Sequence, residues 1–193
     1  MFDSISSLCA IYIVNPVWLK IPSEQLMLSL IIIFFSTLLL LEIRSMRHKP
    51  SKRKLIESYR TNIMTFLFND AVMSVLTVSS LLLLAEKYNH NGLISEYNLP
   101  IKALASFILL DLILYFWHKA NHQFECLWMF HKVHHSDRSM NVSTAFRVHF
   151  IDLVLTTLIK ALFIIVMGVE VTVVAFWEAV TTLFTMLHHT RLS

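Results

Sequence analysis

Five histidines, His118, His122, His131, His134 and His135, fall within eighteen residues of a 193-residue chain that has 10 in all. They stand as H-x3-H in WHKANH and as H-x2-H-H in HKVHH. Helix positions i, i+3 and i+4 share a face. The spacing therefore predicts that His118 and His122 point together, and that His131, His134 and His135 do likewise. Neutral imidazole is a ligand for iron, zinc, copper or nickel. Five convergent rings are too many for one structural zinc, and no thiolate set accompanies them, so the pattern predicts a polynuclear or open metal site. A solvated, pH-sensitive loop would leave the recurring interval without a reason. The two cysteines, Cys9 and Cys126, lie far apart and read as free thiols, partly buried, rather than a disulfide.

The elements that must position these rings are membrane helices. Hydrophobic residues make up 56% of the chain, charged residues 15%, and the mean hydropathy is +0.63, too apolar for an ordinary soluble domain. About 20 apolar residues cross a bilayer. Such runs occur at Leu26–Ile43, at roughly Ile63–Ala85, at Ile101–Trp117, and at about Phe150–Met167 and Val169–Leu187, split by Gly168. The fold class expected is all-α, a multi-span transmembrane bundle of about four to five membrane helices with a cytoplasmic histidine-rich region. Residues 1–25 read as an interfacial segment, with Pro16, Trp18, Lys20 and Pro22 leading into the first span and no signal peptide. Residues 26–193 read as a single domain.

Charge sets the topology. The stretch Arg44–Arg60, RSMRHKPSKRKLIESYR, is dense in Lys and Arg and lies in a short loop, which places it in the cytoplasm. The histidine cluster then lies on the same side, and the last two spans return His188 and His189 to it. A topology signal with anionic-lipid contact explains the basic loop better than nucleic-acid binding does. Acids inside spans are expensive and mark function or pairing. Asp111, two helical turns before His118, is expected to hold a histidine ring nitrogen on the side away from the metal. Glu178, Thr182, Thr185 and His189 form one helical stripe, and helix–helix hydrogen bonding explains it equally well. Asp152 and Lys160 receive no role. His48 and His90 stand alone in loops and read as solvated.

The stretch Asp111–Phe150, DLILYFWHKANHQFECLWMFHKVHHSDRSMNVSTAFRVHF, resembles the fatty acid hydroxylase and sterol desaturase superfamily of integral-membrane oxygenases. The family's first two histidine boxes match His118/His122 and His131/His134/His135. The continuation resembles the family's through Asn141, Arg147 and His149. His188 and His189 stand where the family carries a further histidine at a helix end. The resemblance covers roughly residues 65–193. Family members usually continue to another H-x2-H-H box, so the expectation is a chain truncated before its last ligands.

The resemblance implies a histidine-rich di-iron centre, with zinc as the alternative occupant in isolated protein. It also implies O2 as oxidant and a membrane lipid substrate, a fatty acyl chain, sterol or related molecule, that is hydroxylated or desaturated. Electrons would come from a cytochrome b5-like or ferredoxin-like donor. The ligands implied are His118, His122, His131, His134, His135, His188 and His189. Phe116, Trp117, Trp128, Phe130 and Phe146 are candidates to line a lipid path, with bundle packing as the plainer explanation. His149 is a candidate to support a ligand ring or to contact a phosphate or headgroup. The expected location is a multi-pass membrane position with the histidine cluster on the cytoplasmic side, and scarce cysteine and short loops point to a bacterial inner membrane. Two other functions fit less well. A metal-dependent membrane hydrolase would need an H-E-x-x-H pair or a nucleophile elbow, and neither is present. A non-enzymatic metal-binding or transport protein would place its ligands near mid-membrane rather than at one end.

Overall fold

The computed structural model describes residues 22–45, 51–75 and 81–190. Among the described residues there are seven α-helices and no strand. They are α1 Pro22–Ser45, α2 Lys52–Val75, α3 Leu81–Tyr88, α4 Leu99–Gln123, α5 Glu125–His131, α6 Phe150–Met167 and α7 Val171–His189. Two 3-10 turns, His134–Ser136 and Val142–Phe146, lie between α5 and α6. The expectations for residues 1–21, Cys9 and His48 fall outside the described residues. Cys126 is a free, exposed thiol.

Three helices, α4, α6 and α7, are long and apolar enough to cross a membrane. They correspond to the third, fourth and fifth runs read from hydropathy. The first run lies within α1. The second is carried at its two ends by α2 and α3, with residues 76–80 outside the described set. Helix α2 starts at Lys52, well before that run, because the stripe it buries is polar: Ser58, Asn62 and Asn69. Hydropathy does not detect a helix whose inward face is made of serine and asparagine. Large apolar side chains cover the outside, among them Leu112, Phe116, Leu158, Leu162, Phe176 and Phe184. An exposed apolar belt of this extent is what hydrocarbon contact requires.

Local chemistry defines the helix ends. Asn98 caps α4, its side chain accepting the Ile101 N–H at 3.2 Å, with Pro100 in the first turn. Helix α6 stops at Gly168, which takes a left-handed φ of 70°. The loop after α3 docks onto that stop: the Leu93 and Ile94 N–H groups donate to the carbonyls of Val166 and Met167, each at 3.0 Å. One core joins α3, α4, α6 and α7 through Ala85, Leu110, Phe163, Ile164, Val174 and Trp177. A second core joins α1, α7 and the turn at Val142 through Leu38, Val142 and Met186. Ion pairs of Lys102 with Glu170 and of Lys160 with Glu178 tie α4 to the start of α7 and α6 to α7. Lys160 also lies 4.9 Å above the Trp177 ring. Glu178 is thus engaged in a helix-to-helix pair.

The two glycines meet back to back. A Cβ on Gly92 would come within 2.2 Å of the Gly168 nitrogen, a backbone atom that cannot yield cheaply. Gly92→Ala should therefore cost about 3 kcal/mol of stability. Gly168→Ala would meet the Gly92 backbone at the looser distance of 3.0 Å and take a left-handed side chain, and should cost less, about 2 kcal/mol. Thermal unfolding in detergent checks the ranking, and equal losses would refute the packing argument.

Candidate metal centre

One end of the bundle gathers the C-terminus of α4, all of α5, the N-terminus of α6 and the C-terminus of α7. His118 and His122 lie one turn apart near the end of α4, with their Nε2 atoms 3.2 Å apart. His131 is the last residue of α5, and its Nε2 lies 3.2 Å from that of His135. The four rings His118, His122, His131 and His135 offer nitrogens that all lie within 4.8 Å of one another. His134 turns the other way, its Nε2 standing 2.9 Å from Nε2 of His189 on α7. The groups adjoin, with the His134 and His135 rings 5.3 Å apart. His188, one residue from His189 and so about 100° around the helix, is exposed and lies beside Phe184.

The second box therefore does not present one helical face. Helix α5 ends at His131, and a 3-10 turn follows. The chain is captured there by Arg147, whose Nε donates to the Val133 carbonyl at 3.2 Å and whose guanidinium reaches the Ser136 hydroxyl at 2.9 Å. His131 and His135 meet across this turn, while His134 is left facing α7.

Hydrogen bonding fixes three of the rings. The Nδ1–H of His134 donates to the Arg147 carbonyl at 3.2 Å, and that of His189 to the Thr185 carbonyl at 2.6 Å. The Nδ1–H of His131 donates to the Asp152 carboxylate at 2.9 Å. Carbonyls and carboxylates only accept, so each ring carries a proton on Nδ1, and the neutral form leaves a bare lone pair on Nε2. In that form the Nε2 atoms of His134 and His189, 2.9 Å apart, face each other as two lone pairs. Facing lone pairs repel unless a cation sits against both. Imidazole nitrogens ~2.0–2.1 Å from a common metal stand about 2.9–3.4 Å apart in right-angle or tetrahedral arrangements. The contacts of 2.9, 3.2 and 3.2 Å match that spacing, so the donor set fits a metal ion.

Asp111 is exposed on α4, and among the described residues it makes no hydrogen bond to a histidine. It lies in line with His118, but seven residues correspond to about 10 Å along the axis, beyond the reach of an aspartate. The carboxylate that does meet a ring is Asp152, to which the sequence reading gave no role. Its position in the first turn of an apolar span was the available signal. His149 is a helix cap: its Nδ1 accepts the Ile151 N–H at 3.2 Å, and its ring lies on Phe150 and beside Phe130. Trp128 lies beside the four-ring group, 5.2 Å from His122 and 5.7 Å from His135. Trp117 donates to Thr156 at 2.9 Å, and Phe146 packs against Phe35 and Phe66. Phe116 is exposed beside Tyr115.

Beneath the rings lies a polar network that sequence reasoning missed. The Asp137 carboxylate accepts from Ser58 and Thr144 at 2.7 Å, from Asn62 at 3.1 Å and from the Ser139 N–H at 2.9 Å. Burial raises the Asp137 carboxyl, but these donors outweigh it and hold the group below the usual carboxylate range. Asn141, fully buried, donates to Ser58 and to the Ser139 carbonyl. Glu42 of α1 accepts the Val142 N–H at 3.0 Å. The loop that carries the second box is thus fastened to α1 and α2 by hydrogen bonds.

Residues 103–193 match the family model for fatty acid hydroxylase, and every clustered histidine falls within that segment. The match agrees with the superfamily resemblance carried by the two boxes. The histidine cluster in the matched segment fits metal binding. No curated protein and no solved structure matches the chain.

Burial first, then the neighbouring His189 and His135 rings, push His134 from 6.5 down to about 4. Burial, followed by His131 and His122, also lowers His135. Both rings are neutral at pH 7, the form a metal requires. A histidine that charges more readily unfolded than folded costs nothing above its unfolded value of 6.5 and destabilises the fold progressively as pH falls toward about 4. The metal-free protein should lose roughly 5 °C or more in Tm across that window. A Tm that is flat from pH 7 to pH 4.5 would mean these rings are solvated rather than packed.

Proposed function

We propose that the protein is a membrane-bound histidine-box oxygenase that hydroxylates or desaturates a lipid, using O2 and electrons from a separate cytochrome b5-like or ferredoxin-like donor. The observation that carries this reading is the set of four imidazole nitrogens within 4.8 Å, at one end of three helices apolar enough to span a bilayer. His118, His122, His131 and His135 would hold one iron. His134 and His189 would hold a second, together with further donors, since two imidazoles alone fill too few positions. When bound, the di-iron pair supplies activation of O2 for attack on an unactivated C–H bond.

The chain's own residues supply the rest. The Nδ1 hydrogen bonds of His131, His134 and His189 keep their Nε2 lone pairs aimed inward. Trp128 packs beside His122 and His135 and helps to hold their ring planes. The exposed apolar belt of α4 and α6 gives an acyl chain or sterol a hydrocarbon route to that end. With the basic residues of α1 and α2, Arg44, Lys52, Arg53, Lys54 and Arg60, in the cytoplasm, the histidine end faces the same side. Counting α1 and the α2–α3 region, the bundle has four to five spans, and residues 26–193 act as one domain.

Metal content per chain in detergent-solubilised protein from iron-replete cells tests the reading. Wild type should retain metal, and His122→Ala and His135→Ala should lose most of it, roughly 10-fold or more. His90→Ala, in the distant loop, should match wild type. With a reductant and O2, loaded wild type should give lipid bearing a new hydroxyl or double bond by mass spectrometry. Unchanged metal in the boxed variants would refute the ligand assignment. Bound metal with no oxidised lipid would instead favour a metal-binding protein without turnover.

A further inference from the structure

The geometry points to Asp152, braced by Asn121, as the positioning residue that makes His131 the strongest donor in the four-histidine group. This rests on the proposal that the group holds a metal ion. Among the described residues, Asp152 is the one carboxylate within hydrogen-bond distance of a clustered histidine. It is 6% exposed, and its Oδ2 takes the Nδ1–H of His131 at 2.9 Å. Its Oδ1 takes the side-chain N–H of Asn121, itself 3% exposed, at 3.4 Å. Three elements, α4, α5 and α6, therefore meet at one carboxylate.

A buried acid in an apolar span must be compensated. The lysine on the same helix does not do so, because Lys160 is bound to both carboxylate oxygens of Glu178. The first turn of α6 contributes the partial positive charge of a helix N-terminus. The remaining contact of the carboxylate is His131, whose Nδ1–H it accepts and whose Nε2 would face a metal ion held among the other three rings. A carboxylate drawing on Nδ1–H raises the electron density at Nε2 and fixes the ring plane. His134 and His189 are held by uncharged backbone carbonyls and receive no such help. Asp152 is thus the only formal negative charge delivered to a ligand ring among the described residues. It ranks His131 above its neighbours as a metal donor.

The test is Co2+ binding to the purified, metal-free chain in detergent, measured against a competing chelator and by the visible absorption of the bound ion. Asp152→Asn keeps the shape and removes the charge. It should bind Co2+ about 10–100-fold more weakly than wild type, with an altered absorption envelope. The Tm of the metal-free chain should be unchanged, and Asp152→Glu should recover most of the affinity. Asn121→Ala removes only the brace and should weaken binding several-fold, which keeps the inference testable if Asp152→Asn fails to fold. Wild-type affinity in Asp152→Asn or in Asn121→Ala, while His122→Ala loses the ion, would overturn this inference and leave the metal centre standing. Loss of metal-free stability in Asp152→Asn without loss of affinity would make the residue a staple between α5 and α6, and would also overturn it. A wild-type chain that takes up no Co2+ would instead remove the metal centre itself.

Discussion

Imidazole nitrogens with bare lone pairs repel when brought face to face, and this repulsion governs how the histidine end of the bundle is built. The rings cannot find that arrangement by hydrophobic collapse, and they lack a shared counter-charge of their own. They must be held by whatever surrounds them. Backbone carbonyls take the outward N–H of His134 and His189, and a carboxylate takes that of His131. Proton position and ring direction are therefore settled before any ion arrives.

That demand explains an otherwise odd distribution of polarity. A chain this apolar buries Glu42, Ser58, Asn62, Asn141, Ser143 and Thr144 almost completely, and all of them converge on the loop after the second box. The loop has little regular secondary structure with which to satisfy its own backbone, so α1 and α2 satisfy it with side chains. Apolar packing carries the spans themselves, through the core around Trp177 and Phe163. The two kinds of glue occupy different regions: dispersion and burial along the helices, hydrogen bonds where direction matters.

The long apolar helices α4, α6 and α7 were legible because such runs have few alternatives, and both boxes were legible because histidine is rare enough for clustering to count. The reach of α2 back to Lys52 was not, since its buried stripe of Ser58, Asn62 and Asn69 mimics a surface. The division of the second box was hidden because H-x2-H-H fits a helix, whereas tertiary contacts from Arg147 take the chain out of the helix at His131. Asp111 looked like the supporting acid because angular alignment can be read from sequence, while axial distance decides the contact. Asp152, across a loop of irregular backbone, could be placed against His131 only by the fold.

The far end carries a different kind of constraint. The chain's two glycines lie against each other, one in the loop after α3 and one at the turn between α6 and α7. Neither position is tolerant on its own account, because the space each leaves is filled by the backbone of the other. Inheritance should therefore treat them as one character. A lineage that gains a side chain at position 92 must also reroute residues 166–168, and the two sites should covary across relatives even though nearly eighty residues of sequence separate them.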